Sequence, residues 1–129
     1  MPVSMELREQ GHVTYYVLAD PWLITDLTSL YPRDNRYRNT VDFKVHTVMN
    51  FGDVRHIPAN VITAKQDAPA FEHPASGQLL MIGANSFVRI MAETIFRLAH
   101  YKRASFYNTE AEAWAYIRQV IAEESLSIA

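Results

Sequence analysis

Val3, Met5 and Leu7 alternate with Ser4, Glu6 and Arg8, the two-residue period of a strand buried on one side. Gln10-Gly11 supplies a turn. His12–Ala19 follows, rich in Val and Tyr, and a short turn between two such runs predicts a hairpin. Asp20-Pro21-Trp22 then opens a helix, with Asp20 as its cap and Pro21 in its first position. Leu23, Leu27, Leu30 and Tyr31 continue it at helical spacing. Pro32 marks a stop or kink. The polar stretch Arg33–Thr40 is expected to be loop or an irregular continuation of the helix. Val45–Phe51 is the next strand, with Val45, Thr47, Met49 and Phe51 on one face and His46 on the other.

Beyond Gly52-Asp53, a short helix is expected over Pro58–Gln66. A loop follows over Ala68–Gly77, which holds two prolines and a glycine. Leu79–Ile82 is a continuous apolar run, as a central strand covered on both faces requires. Gly83-Ala84-Asn85-Ser86 leads into an amphipathic helix that gathers Phe87, Ile90, Met91, Thr94, Ile95 and Leu98 on one face. Arg89, Glu93 and Arg97 stand four apart on the other. Ala104–Tyr107 is a short strand. Thr109 and Glu112 form a capping box for a last helix, to about Glu124, whose apolar stripe is Ala113, Trp114, Ile117, Val120 and Ile121. The order β-β-α-β-α-β-α-β-α predicts an α/β fold. Its mixed, mostly parallel sheet has four to five strands and helices packed on it, and the opening hairpin adds an antiparallel edge.

Composition narrows the function classes. The 129 residues suit one domain, 1–129. Hydrophobic residues make up 49% and charged residues 20%, a balance that rules out the disordered class. A formal net charge of −2 gives no global pull toward nucleic acid or anionic membranes. The absence of cysteine removes disulfides, thiolate metal sites and a cysteine nucleophile, and fits a reducing cytoplasm. Met1–Gln10 does not read as a signal peptide. The longest apolar stretch, Leu79–Gly83, is far short of the ~20 residues that span a bilayer.

The candidate chemistry is sparse. His46, His56 and His73 match no zinc spacing, so no metal is expected. Gly83-Ala84-Asn85-Ser86 joins a strand to a helix start, where free N–H groups receive anions or are capped by Asn85 or Ser86. Asp53, Asp67, Glu72 and His73 occupy loops near the strands' carboxyl ends, with no activated nucleophile beside them. No catalytic residue and no cofactor follow. Arg33, Arg36 and Arg38, interleaved with Asn35 and Tyr37, read as a solvated loop rather than a nucleic-acid surface. Trp22, Phe71 and Phe87 are candidates for the edge of an apolar groove.

Several pieces, in this order and spacing, resemble a bacterial branch of the STAS (SpoIIAA-like) domain, the fold of anti-sigma-factor antagonists and of related lipid-transfer modules. They are Asp20-Pro21-Trp22; Asn50-Phe51 before Val54 and Pro58; His73-Pro74 with Gly77; Ile82-Gly83-Ala84-Asn85 before Phe87-Val88-Arg89; and Thr109-Glu110 with Ala113-Trp114. The resemblance implies a single STAS-like domain acting as a non-enzymatic regulatory module that binds a protein partner. In antagonists of this family a phosphorylated serine opens the helix after the third strand. The matching stretch here, His56-Ile57-Pro58-Ala59-Asn60, holds no serine or threonine, and the nearest hydroxyl is Thr63. The expected contact surface is Asp53, Arg55, His56, Pro58 and Asn60, and the exposed first strand offers a route to a homodimer. The alternative is a binder of a small or lipid-like ligand, with Gly83, Asn85 and Ser86 in its site.

Overall fold

The computed structural model describes residues 3–55, 75–83, 89, 90, 93 and 104–128. Five strands form one sheet in the order of the chain: β1 (Val3–Arg8), β2 (Val13–Ala19), β3 (Val45–Asp53), β4 (Ser76–Ile82) and β5 (Ala104–Tyr107). β1 runs antiparallel to β2, and β2, β3, β4 and β5 run parallel. The mixed α/β sheet expected from the periodicity is present. The turn between β1 and β2 takes left-handed backbone at three successive residues, Glu9 (φ 52), Gln10 (φ 58) and Gly11 (φ 89). Positive φ is the geometry that lets a hairpin turn match the right-handed twist of its strands. Arg118 donates to Glu9 Oε1 at 2.9 Å and pins the turn to the last helix.

Two short helices, α1 (Ile24–Thr28) and α2 (Tyr31–Arg38), lie between β2 and β3. Two expectations are corrected here. Asp20 does not cap a helix, because its carboxylate accepts the Arg55 N–H at 2.6 Å. α1 instead starts after Leu23, whose N–H donates to Asp26 Oδ2 at 2.7 Å. Pro32 does not stop a helix but sits in the first turn of α2, where a missing N–H costs nothing. Of the two readings open to Arg33–Thr40, a loop or an irregular continuation of the helix, the structure shows the second over Arg33–Arg38. The inner face of this stretch escaped the apolar pattern because it is built from Asp34 and Arg38, both buried.

α3 (Glu110–Ile128) follows β5 directly. Thr109 Oγ1 accepts the Glu112 N–H at 3.3 Å and donates to Glu112 Oε1 at 3.1 Å, the cap expected from the sequence. The described order differs from the expected one between β2 and β3, where two helices stand in place of one. The helix expected over Pro58–Gln66 lies outside the described residues, as does most of the helix expected from Phe87. Arg89, Ile90 and Glu93 are helical, and Arg89 Nε donates to Glu93 Oε1 at 3.4 Å as the four-residue spacing requires. Ile90, expected in the core, is 62% exposed; helical spacing groups residues on a face without fixing which way that face looks.

The sheet is covered on both sides. Tyr16, Leu18, Met49, Phe51, Leu79 and Met81 pack with Trp22, Leu27 and Tyr31 on one face. Val13, Tyr15, Val48, Leu80 and Ile82 pack with Ala113, Trp114 and Ile117 of α3 on the other. Leu79 and Leu80 point to opposite faces and both are fully buried, the arrangement foreseen for a strand with neighbours on each side.

A charged knot holds the amino end of this sheet. Arg38 is 1% exposed and Asp34 is fully buried. Arg38 Nε donates to Asp34 Oδ1 at 2.8 Å. Nη1 donates to the Val45 carbonyl (2.7 Å) and Ser76 Oγ (3.1 Å). Nη2 donates to Thr47 Oγ1 (2.8 Å) and Thr14 Oγ1 (3.0 Å). The five N–H donors of a guanidinium are thereby used. The Tyr16 hydroxyl donates to Asp34 Oδ2 at 2.6 Å, and burial pushes its pKa far above the ordinary range, so it stays a donor. One side chain from α2 thus ties β2, β3 and β4 together. Arg38→Leu should cost about 3–5 kcal/mol, because it strands a buried carboxylate. Urea denaturation reads the loss; a cost below about 1 kcal/mol, the worth of a surface pair, would show that the knot does not hold the sheet.

Candidate functional site at the carboxyl edge of the sheet

In parallel sheets the loops beyond the carboxyl ends of the strands carry ligands and partners. Here that edge collects Asp53 at the end of β3, Arg55 just beyond it and Gly83 after β4. The backbone around them is tied down. The Val54 N–H donates to the Phe51 carbonyl at 2.9 Å, and the bond from the Arg55 N–H to Asp20 links the exit of β3 to the turn after β2. Gly52 and Arg55 are exposed, while Val54 between them is 2% exposed and anchors the segment in the core.

Gly83 is placed by a close approach. Its φ is +73, and a Cβ there would fall 3.0 Å from the Gly52 Cα. Two strands therefore leave the sheet backbone against backbone. The Gly83 N–H donates to the Tyr107 carbonyl at 3.0 Å. The Gly83 N–H is thus spent inside the protein and is not free for an anion. Of the residues expected from the sequence, Asp53, Arg55 and Gly83 share the edge. His56, Pro58, Asn60, Asn85 and Ser86 lie outside the described residues, as do Asp67, Phe71, Glu72, His73 and Phe87.

A polar chain that sequence reasoning missed runs beneath the edge on the α3 side. The Gly52 N–H donates to Asn50 Oδ1 at 2.9 Å, and Asn50 Nδ2 donates to the Tyr15 hydroxyl at 3.0 Å. That hydroxyl donates to Glu110 Oε1 at 2.7 Å, in the first turn of α3. A carboxylate there also complements the helix dipole. The Arg8 guanidinium lies 4.8 Å from the Tyr15 ring centre and 5.9 Å from that of Trp114. Burial is the main reason the Tyr15 pKa is raised; Asn50 opposes the rise and Glu110 adds to it. The hydroxyl therefore remains protonated at neutral pH and fixes position rather than moving protons. The one signal in the sequence was Asn50, a polar residue between Met49 and Phe51 near the end of β3.

The amino end of the sheet is less suited to a ligand. An open pocket of about 380 Å³ lies there, with Asn39, Asp42, Phe43 and Lys44 among its lining residues. Arg38 reaches its wall, but every donor of Arg38 is already spent inside the protein. Among the described residues no group of three or more His, Cys, Asp or Glu is placed to hold a metal, and no helix is long and apolar enough to cross a membrane.

Fold and edge together define an α/β protein with a mixed five-stranded sheet. No protein-family model, curated protein or solved structure matches the chain.

The glycine contact gives a direct test of the edge. Gly83→Ala should destabilise by about 1–2 kcal/mol for the left-handed backbone alone, with the approach to Gly52 adding to it. Unchanged stability in urea would show that the two strand exits do not touch.

Proposed function

We propose that this chain is a STAS-like, non-enzymatic interaction module whose protein partner docks on the carboxyl edge, at Asp53 and Arg55 and on into the segment carrying His56, Pro58 and Asn60. The observation that carries the reading is the pinned but exposed exit of β3. Arg55 is exposed, yet its N–H is held by Asp20 at 2.6 Å and its neighbour Val54 is buried. A surface ordered before binding loses less entropy when a partner arrives. The raised pKa of Tyr15, held by Asn50 and Glu110, favours a scaffold at this edge over acid–base chemistry. The STAS reading itself rests on the resemblance of the sequence motifs, and the mixed sheet with its antiparallel first strand is compatible with it. With no serine or threonine in the stretch His56–Asn60, binding by this module is not switched by phosphorylation at the family's usual position.

Site-specific photocrosslinking in the native host tests the reading. A photoreactive residue at Arg55 should give discrete protein adducts. The same residue at Arg36, exposed on α2, should give none. Equal labelling from both positions, or none from Arg55, would contradict it. A small molecule of constant mass retained in native mass spectrometry, displaced by substitutions at Gly83, would favour a ligand-binding role instead.

A further inference from the structure

The ladder between β3 and β4 is irregular at one point. Val45 pairs with Ser76, but Thr47 pairs with Leu79. Two residues of β4, Gly77 and Gln78, therefore stand opposite the single residue His46, the two-against-one count of a bulge. His46 is 1% exposed on the α3 side. Its ring fills the irregularity: the Gln78 N–H donates to His46 Nδ1 at 2.8 Å. Gly77 is required beside it, since a Cβ there would fall onto the imidazole at Nδ1 and Cε1. The other ring nitrogen, Nε2, is 2.8 Å from Glu124 Oε1 near the end of α3.

A backbone amide can only donate, so Nδ1 must accept. The proton of the neutral ring then sits on Nε2, which donates a hydrogen bond to Glu124 Oε1. One imidazole thus joins three elements: β3, the start of β4 and the far end of α3. The arrangement works in one protonation state only. A proton taken from solvent by the Nδ1 lone pair would set N–H against N–H, and the Gln78 bond would be lost.

We propose that His46 is a proton-operated clasp that holds the amino end of β4 to β3 while neutral and releases it when Nδ1 is protonated. The charged and titratable groups around the ring pull in different directions. Glu124 of α3 favours the charged ring. Burial opposes it most strongly, and Arg38 of α2 and His12 of the hairpin turn oppose it as well. The balance lowers the pKa of His46 below its usual 6.5, with burial as the leading cause. The folded protein therefore binds fewer protons at this site than the unfolded chain. The stability the clasp contributes is complete above pH 6.5 and declines as the pH falls below that value toward the folded pKa.

The test is nitrogen-15 NMR of the intact protein, with histidine and backbone labelled, titrated from pH 8 to pH 4.5. At pH 8 the Nδ1 resonance should be that of an unprotonated acceptor. As His46 titrates, the hydrogen-exchange protection of the Gln78 amide, corrected for intrinsic rate, should fall at least tenfold more than that of Leu80. A protonated Nδ1 at pH 8 would overturn the proposal, as would Gln78 protection that does not change as His46 titrates. His46→Asn supplies a second arm, because Asn Oδ1 accepts the same amide without titrating. Its Gln78 protection should be flat over this range; an undiminished acid loss in that variant would assign the effect to another group and overturn the clasp. The wild-type titration decides the question even where His46→Asn does not fold.

Discussion

A guanidinium carries its charge wherever it is placed, so burying one forces its surroundings to supply an anion and a full set of acceptors. At the amino end of this sheet Arg38 meets that demand from four directions at once: Asp34 on its own helix, Thr14 on β2, Val45 and Thr47 on β3, and Ser76 on β4. The desolvation penalty is offset only with all of these in place, because partial satisfaction leaves a buried charge unpaired. The constraint therefore reaches far beyond one ion pair. It sets the position of α2 over the sheet and the relative heights of three strands. Among the described residues no buried side-chain nitrogen or oxygen lacks a hydrogen-bond partner, which is the condition under which such a network specifies one arrangement.

With the amino end locked, the two ends of the sheet divide their tasks. The amino end contains the knot and, on the opposite face, the His46–Gln78–Glu124 linkage. Both consume polar groups internally. The carboxyl end leaves Gly52 and Arg55 exposed, where the backbone is pinned by Asp20 and by the chain from Asn50 through Tyr15 to Glu110. A sheet built this way presents one stiff margin. The proposed docking of a partner there needs no rearrangement of the strands beneath.

Much of the architecture was legible from period alone. Val3, Met5 and Leu7 announced the edge strand, and Leu79–Ile82 announced an interior one, because a two-residue alternation and an unbroken apolar run follow directly from which faces are dry. The rest of α2 was hidden for the converse reason: beyond Tyr31 its dry side is a carboxylate and a guanidinium, which hydrophobic periodicity counts as wet. Pro32 is ambiguous in sequence because the same ring serves a first turn as well as a stop. Asp20 resembles a cap locally because its partner, the Arg55 N–H, is distant in sequence. The candidate edge was half legible. The carboxyl-end rule brings Asp53, Arg55 and Gly83 to one margin, whereas no local spacing joins Tyr15, Asn50 and Glu110, which meet only once β2, β3 and α3 are assembled.

The coupling between Asp34 and Arg38 is the most direct measure of whether the knot governs the fold. A double-mutant cycle of Asp34→Asn, Arg38→Gln and the pair, each unfolded in urea, isolates it. A coupling energy of about 2 kcal/mol or more is expected for a buried, hydrogen-bonded charge pair. Additivity within about 0.5 kcal/mol, as found for independent sites, would contradict the account.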